Sequence, residues 1–385
     1  MNKAINIHIY PSDITSESRM MKITASLLEF GYFSKIWLIG VLSPKTEAKQ
    51  VIDGNREIYR FPRFAHITQS SNITKAIATL RWSLAIWRFL RGQHIACINC
   101  HSLPVLPLCV ALKLRHRAVL IYDTHELETE TSVSKGLRKK LAKLLEGSLI
   151  RFADITIVVG AMIADWYRDA YEMQRPYVVR NVPDNKNTAL LPRAASPLRA
   201  KLGLGDDALI VLYLGKLSVN RGIERLLDVF SEANNPVHLV FMGDGELTEM
   251  IQHYGRLHPT IHYLPPVPMN EVVAHARGAD MGVSVIDHSC LSYTYAMPNK
   301  FFEYLQAGVP VLIGDMPEQR EIIDKHHAGW LLPEDDDAAV FFINGLTVAD
   351  VRQKQANAEA IAGEFSWANE AHVLKEAYQA KFKPL

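Results

Sequence analysis

The chain has 385 residues, and at about 100–200 residues per domain this length indicates two domains. Apolar residues make up 48% and charged residues 22%, which excludes a disordered chain, and no apolar run reaches the ~18–20 residues that a membrane span needs. The net charge is +1, but residues 1–185 hold 25 Lys and Arg against 16 Asp and Glu, so the two halves have opposite signs and we expect different partners for them.

Short apolar runs alternate with helical patterns along the chain. In the first half the predicted strands are 5–10, 34–39, 94–99, 118–122, 155–159 and 177–179, with helices at 73–90 and 137–150 among the segments between them. In the second half the predicted strands are 208–214, 237–242, 281–286 and 311–313. This pattern predicts an α/β fold with mostly parallel sheets, in which two doubly wound Rossmann-like domains face a cleft.

The segment 181–197 is rich in Asn, Pro, Ala and Ser and shows neither helical nor strand periodicity. It predicts a boundary between an N-terminal domain, residues 1–185, and a C-terminal domain, residues 186–365. We expect residues 366–385 to form a helix that packs back on the N-terminal domain. Ligands of such sheets bind outside the carboxyl ends of the strands, so the candidate residues are those that follow strands.

Two cations follow the predicted strand 208–214. Lys216 comes directly after Gly215, and Arg221 with Gly222 precedes the next helix. Backbone N–H groups at a helix N-terminus and two positive side chains can together bind a diphosphate. The alternative is a pair of ordinary surface charges.

A second candidate is the helix that begins at Pro298. The amides of Asn299 and Lys300 in its first turn suit a phosphate, and Glu303 could accept hydrogen bonds from ribose hydroxyls. Its alternative interpretation is a carboxylate that favours the first helical turn and binds nothing.

A third candidate follows the strand 118–122. His125 and Glu126 are expected at the rim of the cleft, where a histidine can donate to a sugar hydroxyl or a phosphate oxygen, unless the pair is only a loop or helix cap. The turn Gly243-Asp244-Gly245 after another strand would let backbone approach the ligand.

Two patterns suggest cofactors but have simpler explanations. Cys97, Cys100 and His101 match the CxxCH signature of haem attachment, but they lie in a predicted strand whose i and i+3 side chains point to opposite faces. The run Asp335–Asp337 is typical of an acidic helix start rather than of a metal site. We therefore expect no metal and no cofactor. With few cysteines and no secretory signal at the N-terminus, we expect a cytoplasmic protein.

Together the motifs resemble those of family-4 glycosyltransferases, retaining enzymes of the GT-B fold that use nucleotide sugars. The resemblance is carried by 215–222, 242–245, 279–280 and 298–311, and more weakly by 101, 122–127, 153–154 and 180–183. It implies that Lys216 and Arg221 bind the donor diphosphate, Glu303 the ribose, and that His125 lies beside the transferred sugar. The other implied donor-binding residues are Gly215, Asp244, Tyr295, Asn299 and Lys300. The residues implied on the acceptor side are Ser16, Arg19, His101 and Glu126.

Three features depart from the family pattern. The family commonly has Arg and then Lys at the two cationic positions, which are exchanged here. Tyr295 stands where the first of two glutamates is usual. The first strand-to-helix loop, residues 11–19, contains no glycine.

The resemblance implies transfer of a sugar from a nucleotide-diphosphate sugar to a glycan or lipid-linked acceptor, in cell-surface polysaccharide synthesis. Retention would follow front-face attack, with the leaving diphosphate helping to take the acceptor's proton. The alternatives are a GT-B nucleotide-sugar epimerase and a non-catalytic nucleotide-sugar binding protein. A dehydrogenase is disfavoured because no G-x-G-x-x-G follows the first strand, and nucleic acid is not expected as a partner of this nearly neutral chain.

The basic first half also contains an apolar helical stripe. It comprises Leu137, Leu141, Leu144, Leu145 and Leu149, bordered by Lys135, Arg138, Lys139, Lys140 and Lys143. With Trp82, Trp87, Arg81 and Arg88 on the preceding long helix, it could rest on the anionic inner face of the cytoplasmic membrane. The alternative is that the stripe packs on the sheet.

Overall fold

The computed structural model describes residues 5–15, 17–63, 72–132, 135–184, 192–205 and 207–384. These residues form two compact units. The first unit comprises Met1–Arg180 and Ala371–Leu385, and the second comprises Asn181–Glu370. The position 185/186, where the sequence predicts the domain boundary, lies outside the described residues.

The first unit is built on an eight-stranded sheet. Its strands are β1 (Ile5–Ile9), β2 (Lys35–Leu42), β3 (Lys49–Val51), β4 (Arg56–Pro62), β5 (Ile95–Cys100), β6 (Val119–Asp123), β7 (Ile155–Val158) and β8 (Tyr177–Val178). Its helices are α1 (Ser18–Glu29), α2 (Asn72–Leu90), α3 (Leu106–His116), α4 (Gly136–Ile150) and α5 (Ala161–Tyr171), with a 3₁₀ turn at Leu103–Val105. The strand order is β3-β4-β2-β1-β5-β6-β7-β8, and all neighbours are parallel except β3 and β4.

The second unit is built on a six-stranded sheet. Its strands are β9 (Ile210–Leu214), β10 (His238–Met242), β11 (Ile261–Leu264), β12 (Met281–Ser284), β13 (Val311–Ile313) and β14 (Gly329–Leu331). Its helices are α6 (Pro197–Leu202), α7 (Ile223–Glu232), α8 (Thr248–Leu257), α9 (Val272–Ala276), α10 (Leu291–Thr294), α11 (Asn299–Gln306), α12 (Pro317–His326), α13 (Asp336–Gly345) and α14 (Val348–Ile361), with 3₁₀ turns at Arg193–Ala195 and Met269–Glu271. The strand order is β11-β10-β9-β12-β13-β14, and every pair is parallel.

The last helix, α15 (Trp367–Gln379), ends in the first unit. There the buried Tyr378 donates a hydrogen bond from its hydroxyl to Asn99 Oδ1 on β5. This contact ties the end of the chain to the centre of the first sheet.

The predicted α/β class with parallel sheets is confirmed, and each predicted strand is present with ends that differ by at most three residues. The central strands β1 and β9 are buried along their whole length, which explains the unbroken apolar run of β9, whereas β1 buries the polar residues Asn6 and His8 between its isoleucines. The two cysteines of the CxxCH pattern are buried core thiols on β5. Asp335 caps α13 by accepting a hydrogen bond from the Ala338 N–H, as expected for an acidic helix start.

Candidate functional site

In the second unit, the loop after β9 turns sharply at both of its ends. Gly215 has φ +111° and Gly222 has φ +68°, a region that glycine adopts without the steric cost of a Cβ. The Gly215 N–H donates to the Met242 carbonyl, which holds the start of this loop against the end of β10. The loop therefore leaves the sheet at its carboxyl edge, and α7 begins where it ends.

The backbone of the turn Gly243-Asp244-Gly245 packs directly against the backbone of this loop. A Cβ on Gly243 would lie 1.8 Å from the Gly215 carbonyl oxygen, and one on Gly245 would lie 2.1 Å from the Leu217 carbonyl oxygen. The Leu217 N–H donates to the Asp244 carbonyl at 2.7 Å. Both glycines are thus required by the close approach of two backbones, whereas Asp244 itself is exposed.

The two predicted cations lie in this loop, and the described residues offer them no ion-paired carboxylate. Lys216 is exposed, and Arg221 is half-buried with its Nε donating to Ser218 Oγ at 3.2 Å. Neither side chain makes an ion pair with a carboxylate of the described residues. Their charge is therefore available to an anion.

Lys300 is a third basic residue at the same edge of the sheet. It occupies the first turn of α11 and is only 6% exposed, and its Nζ lies 3.6 Å from the centroid of the Tyr213 ring on β9. Burial lowers the pKa of Lys300 well below its usual value, the charge of Arg221 lowers it further, and Glu303 acts in the opposite direction. Burial likewise raises the pKa of Tyr213 to about 12.

Tyr304 fixes α11 relative to β9, although it was not among the predicted site residues. Its hydroxyl donates to the Leu212 carbonyl at 2.7 Å and accepts from the Leu214 N–H at 2.8 Å. Gly282 on β12 leaves room for the ring, because a Cβ there would lie 2.1 Å from a ring carbon of Tyr304. The position of Lys300 and Glu303 at the edge of the sheet follows from this anchor.

The remaining predicted donor residues lie around the same helix. Asn299 is exposed in its first turn, and Glu303 is half-buried one turn later. Tyr295 is half-buried and follows α10.

In the first unit, polar residues collect at the carboxyl ends of the adjacent strands β1, β5 and β6. His8 Nδ1 lies 2.9 Å from His101 Nε2, and His101 Nδ1 lies 3.3 Å from both His125 Nε2 and Asp123 Oδ2. Burial lowers the pKa values of His8 and His101, so both rings are neutral at ordinary pH. Only His125 of these four is partly exposed, and its ring lies 5.4 Å from that of Tyr10.

Arg19 balances the charge of Asp123. Its Nη2 donates to Asp123 Oδ1 at 2.7 Å, and its Nη1 donates to the Val179 carbonyl at 2.6 Å. Burial alone would raise the pKa of Asp123, but Arg19 and the histidines His101 and His125 outweigh it and hold this pKa well below its usual value. The carboxylate is therefore ionised and held in place.

This arrangement changes the expectation for two acceptor-side residues. Arg19 and His101 are 3% and 1% exposed, so their polar atoms are committed to Asp123 and its neighbours rather than to a ligand. Glu126 is exposed, and Ser16 lies outside the described residues. His8 was not predicted, since a lone histidine inside an apolar strand resembles a satisfied core residue.

Three of these side chains could also hold a metal ion by distance. The ligand atoms of His101, Asp123 and His125 lie within 4.8 Å of one another. However, Asp123 already accepts from Arg19, so a cation there would have to compete with a buried guanidinium. The arrangement fits an internally hydrogen-bonded cluster better than a metal centre.

No helix in the parts of the chain that the structure covers is both long and apolar enough to cross a bilayer. On α4, by contrast, the leucine stripe is largely solvent-exposed, with Leu137 at 72% and Leu144 at 71%. The core-facing side of α4 instead carries the buried Glu146, whose carboxylate accepts from the hydroxyls of Tyr122, Tyr167 and Tyr171. Trp82 is buried and donates to the Gly40 carbonyl, so it does not belong to this surface.

Two family models match the chain. Residues 39–184 match "Glycosyltransferase Family 4", and residues 208–344 match "Glycosyl transferases group 1". The α-monoglucosyldiacylglycerol synthase of Streptococcus pneumoniae is 23% identical over 260 residues, which are 64% of this chain and 57% of that protein. TuaC of Bacillus subtilis, described as a glycosyltransferase of teichuronic acid biosynthesis, is 24% identical over 48% of this chain and 46% of its own length. The chain thus spans about half of the length of these curated relatives.

Solved structures share the fold over the whole chain. Sucrose-phosphate synthase from Thermosynechococcus elongatus superposes with a TM-score of 0.80 at 16% identity, covering 98% of this chain and 99% of that one. HepE from Anabaena, in a complex with UDP and glucose, gives a TM-score of 0.70 at 16% identity, covering 98% and 100%. The fold, the two family models and the relatives agree: the chain belongs to the glycosyltransferases, with a family-4 region followed by a group-1 region in the GT-B fold.

Proposed function

We propose that this protein is a retaining, metal-independent glycosyltransferase that moves a sugar from a nucleotide-diphosphate sugar to a glycan or lipid-linked acceptor. The observation that carries the proposal is the pair of cations Lys216 and Arg221, which lie with the buried amine of Lys300 at the carboxyl edge of the second sheet and make no ion pair with a carboxylate of the described residues. HepE, which has the same fold, was solved with UDP and with UDP-glucose, and this supports a nucleotide sugar as the donor.

The chemistry follows from the charge that develops on the leaving diphosphate. Lys216 and Arg221 stabilise that charge, and the N–H groups at the start of α11 add hydrogen-bond donors. Glu303, one turn into α11, accepts hydrogen bonds from the ribose hydroxyls. Retention results from front-face attack, in which the departing diphosphate takes the proton of the acceptor hydroxyl.

His125 is the residue of the first unit that we expect to touch the sugar. Its Nε2 faces His101 and Asp123, which leaves Nδ1 for a sugar hydroxyl. Arg19 and Asp123 are positioning residues, because they hold this ring without reaching the ligand.

The proposal is tested by removing the two loop cations. A thermal-shift screen of nucleotide sugars identifies the donor first, because a ligand that binds the folded state raises Tm. We expect Lys216→Ala and Arg221→Ala each to lower turnover by at least ~10²-fold, as loss of one charge-stabilising donor does. The matched control is Arg256→Ala, an exposed arginine at the end of α8, which should keep normal turnover.

Near-normal turnover in either variant would contradict the assignment. Two other outcomes would favour the alternatives. An isomerised sugar formed from donor alone would indicate an epimerase. Tight donor binding without any transfer or hydrolysis would indicate a binding protein.

We also propose that the first unit rests on the inner face of the cytoplasmic membrane, where a lipid-linked acceptor would be presented. The exposed leucines Leu137, Leu141 and Leu144 beside the exposed cations Arg138 and Lys140 support this, as does the lipid product named for the S. pneumoniae relative.

Co-sedimentation with vesicles tests the membrane proposal. We expect binding to vesicles that contain anionic lipid, weakening with salt, and a loss of several-fold in Leu141→Ser/Leu144→Ser. The control is Val348→Ser, an exposed apolar residue of the second unit. Binding that ignores lipid charge, salt and the leucines would contradict the proposal.

A further inference from the structure

The side chain of Lys300 is buried, although its backbone amide could bind a phosphate at the start of α11 without any burial of the side chain. It is 6% exposed, and its Nζ has no hydrogen-bond partner among the described residues. The groups that face this nitrogen are the Tyr213 ring from β9, Arg221 from the loop before α7, and Glu303 from α11 itself. Glu224 on α7 acts on Tyr213 from further away.

These surroundings favour an uncharged amine in the ligand-free protein. An ammonium that is buried without an acceptor loses its hydration, and a cation–π contact recovers only part of that cost. The positive charge of Arg221 repels a protonated Lys300 and lowers its pKa further. Glu303, which is on the same helix as Lys300, attracts the protonated form and raises this pKa. Burial is the largest of these influences and lowers the pKa of Lys300 well below its usual value.

A bound diphosphate would reverse this balance. Its oxygens would supply the missing acceptors, and its negative charge would outweigh the repulsion from Arg221. The charged form of the amine would then be favoured at the same pH.

We propose that Lys300 is a third phosphate-binding side chain and that its amine takes up one proton from solvent when a nucleoside diphosphate binds. The Nζ gains a proton and a positive charge as the complex forms, and it returns the proton to solvent when the diphosphate leaves. This inference rests on the proposed function. It goes beyond that function because it couples donor affinity to pH through one named residue of α11.

Calorimetry at pH 7.5 tests the coupling. The probe is whichever of UDP, GDP and ADP raises Tm most, titrated into the full chain in HEPES and in Tris. The difference in apparent enthalpy between buffers of unequal ionisation enthalpy gives the number of protons taken up. We expect an uptake close to one in the wild type and at least tenfold tighter binding at pH 7 than at pH 9.

The variant Lys300→Met isolates the residue, because methionine is unbranched, uncharged and of similar length. We expect Lys300→Met to bind the same diphosphate at least tenfold more weakly, and its uptake to fall by about one proton relative to the wild type. Any proton exchange by the diphosphate itself is common to both proteins and cancels in this difference. If the variant does not fold, the pH dependence of wild-type affinity for the diphosphate still tests whether a proton is taken up on binding.

The outcomes separate this inference from the function on which it rests. No binding of any of the three diphosphates by the wild type would overturn the proposed function. Binding with equal proton uptake in the wild type and Lys300→Met, or wild-type affinity that is flat between pH 7 and pH 9, would overturn the role of Lys300 and leave the donor site standing.

Discussion

Each unit carries a charged cluster at the carboxyl edge of its sheet, and the two clusters are balanced in opposite ways. In the first unit, the buried carboxylate of Asp123 is paired with Arg19 and also contacts His101, so its charge is balanced within the cluster. In the second unit, Lys216, Arg221 and Lys300 have no carboxylate partner within the described residues. The same edge of the same kind of sheet therefore carries a paired buried charge in one unit and, among the described residues, cations without a carboxylate partner in the other.

The difference indicates which residues stabilise the fold and which are available to bind a ligand. A buried ion pair is costly to break because one removed partner leaves the other charged and desolvated. An exposed cation without a partner, such as Lys216, contributes little to folding and can be removed without such a penalty. Stability should therefore depend on the first cluster, and affinity for an anion on the second.

The largest expected effect is on the stability of Asp123→Asn. Arg19 would remain charged and buried without its carboxylate, so the free energy of unfolding should fall by about 3–5 kcal/mol. Lys216→Ala is the matched comparison and should change it by less than about 0.5 kcal/mol. Urea unfolding measures the free energy of unfolding of both variants. An equal decrease in the two would contradict the prediction that stability depends on the first cluster and not on the second.

A second prediction concerns Glu128 of the first unit, whose carboxyl group makes no ion pair with a cation of the described residues. Burial raises its pKa to about 8, a hydrogen bond from the Leu103 backbone acts against this, and Glu126 adds to it. Because this folded-state pKa lies above the unfolded value, the associated stability is full below about pH 4.5 and is lost as pH rises towards 8.

Glu128→Gln should remove that dependence. We expect the variant to match the wild type at pH 5 and to be more stable by about 2–4 kcal/mol at pH 8, since each unit of pKa shift corresponds to about 1.4 kcal/mol. Glu249→Gln, at an exposed position of α8, is the control and should follow the wild type at both values. A wild-type stability that stays constant from pH 5 to pH 8 would mean that Glu128 is ionised in the folded protein.

Most of the fold could be predicted because its central strands are buried on both faces and consist mainly of apolar residues. The strands that sequence patterns missed are β3, β4, β11 and β14, which are short or carry polar residues. In β4 the buried Arg60 interrupts the apolar pattern, and its guanidinium donates to the carbonyls of Asp13 and Glu47. Such a strand is recognisable only when its distant partners are known.

The candidate site likewise contains residues that could be predicted from the sequence and residues that could not. Gly215, Lys216 and Arg221 could be found because they lie close together after one apolar strand, and the Gly243 turn because it follows another. The pairing of Arg19 with Asp123 spans 104 positions and has no local signature. The burial of Lys300 likewise depends on Tyr213 from another strand, so the sequence predicted a role for its backbone amide and not for its amine.

The smallest expected effect comes from Gly243→Ala, which tests whether the turn beneath the loop positions the cations of the second unit. The added Cβ would lie 1.8 Å from the Gly215 carbonyl oxygen, so one backbone must move, at a cost of about 1–3 kcal/mol. The movement shifts Lys216, and we therefore expect KM for the donor to rise more than kcat falls. Gly363→Ala is the control, because a Cβ there meets no atom within 4 Å. If Gly243→Ala lost stability but kept its donor KM, the loop after β9 would hold Lys216 in place without help from this turn.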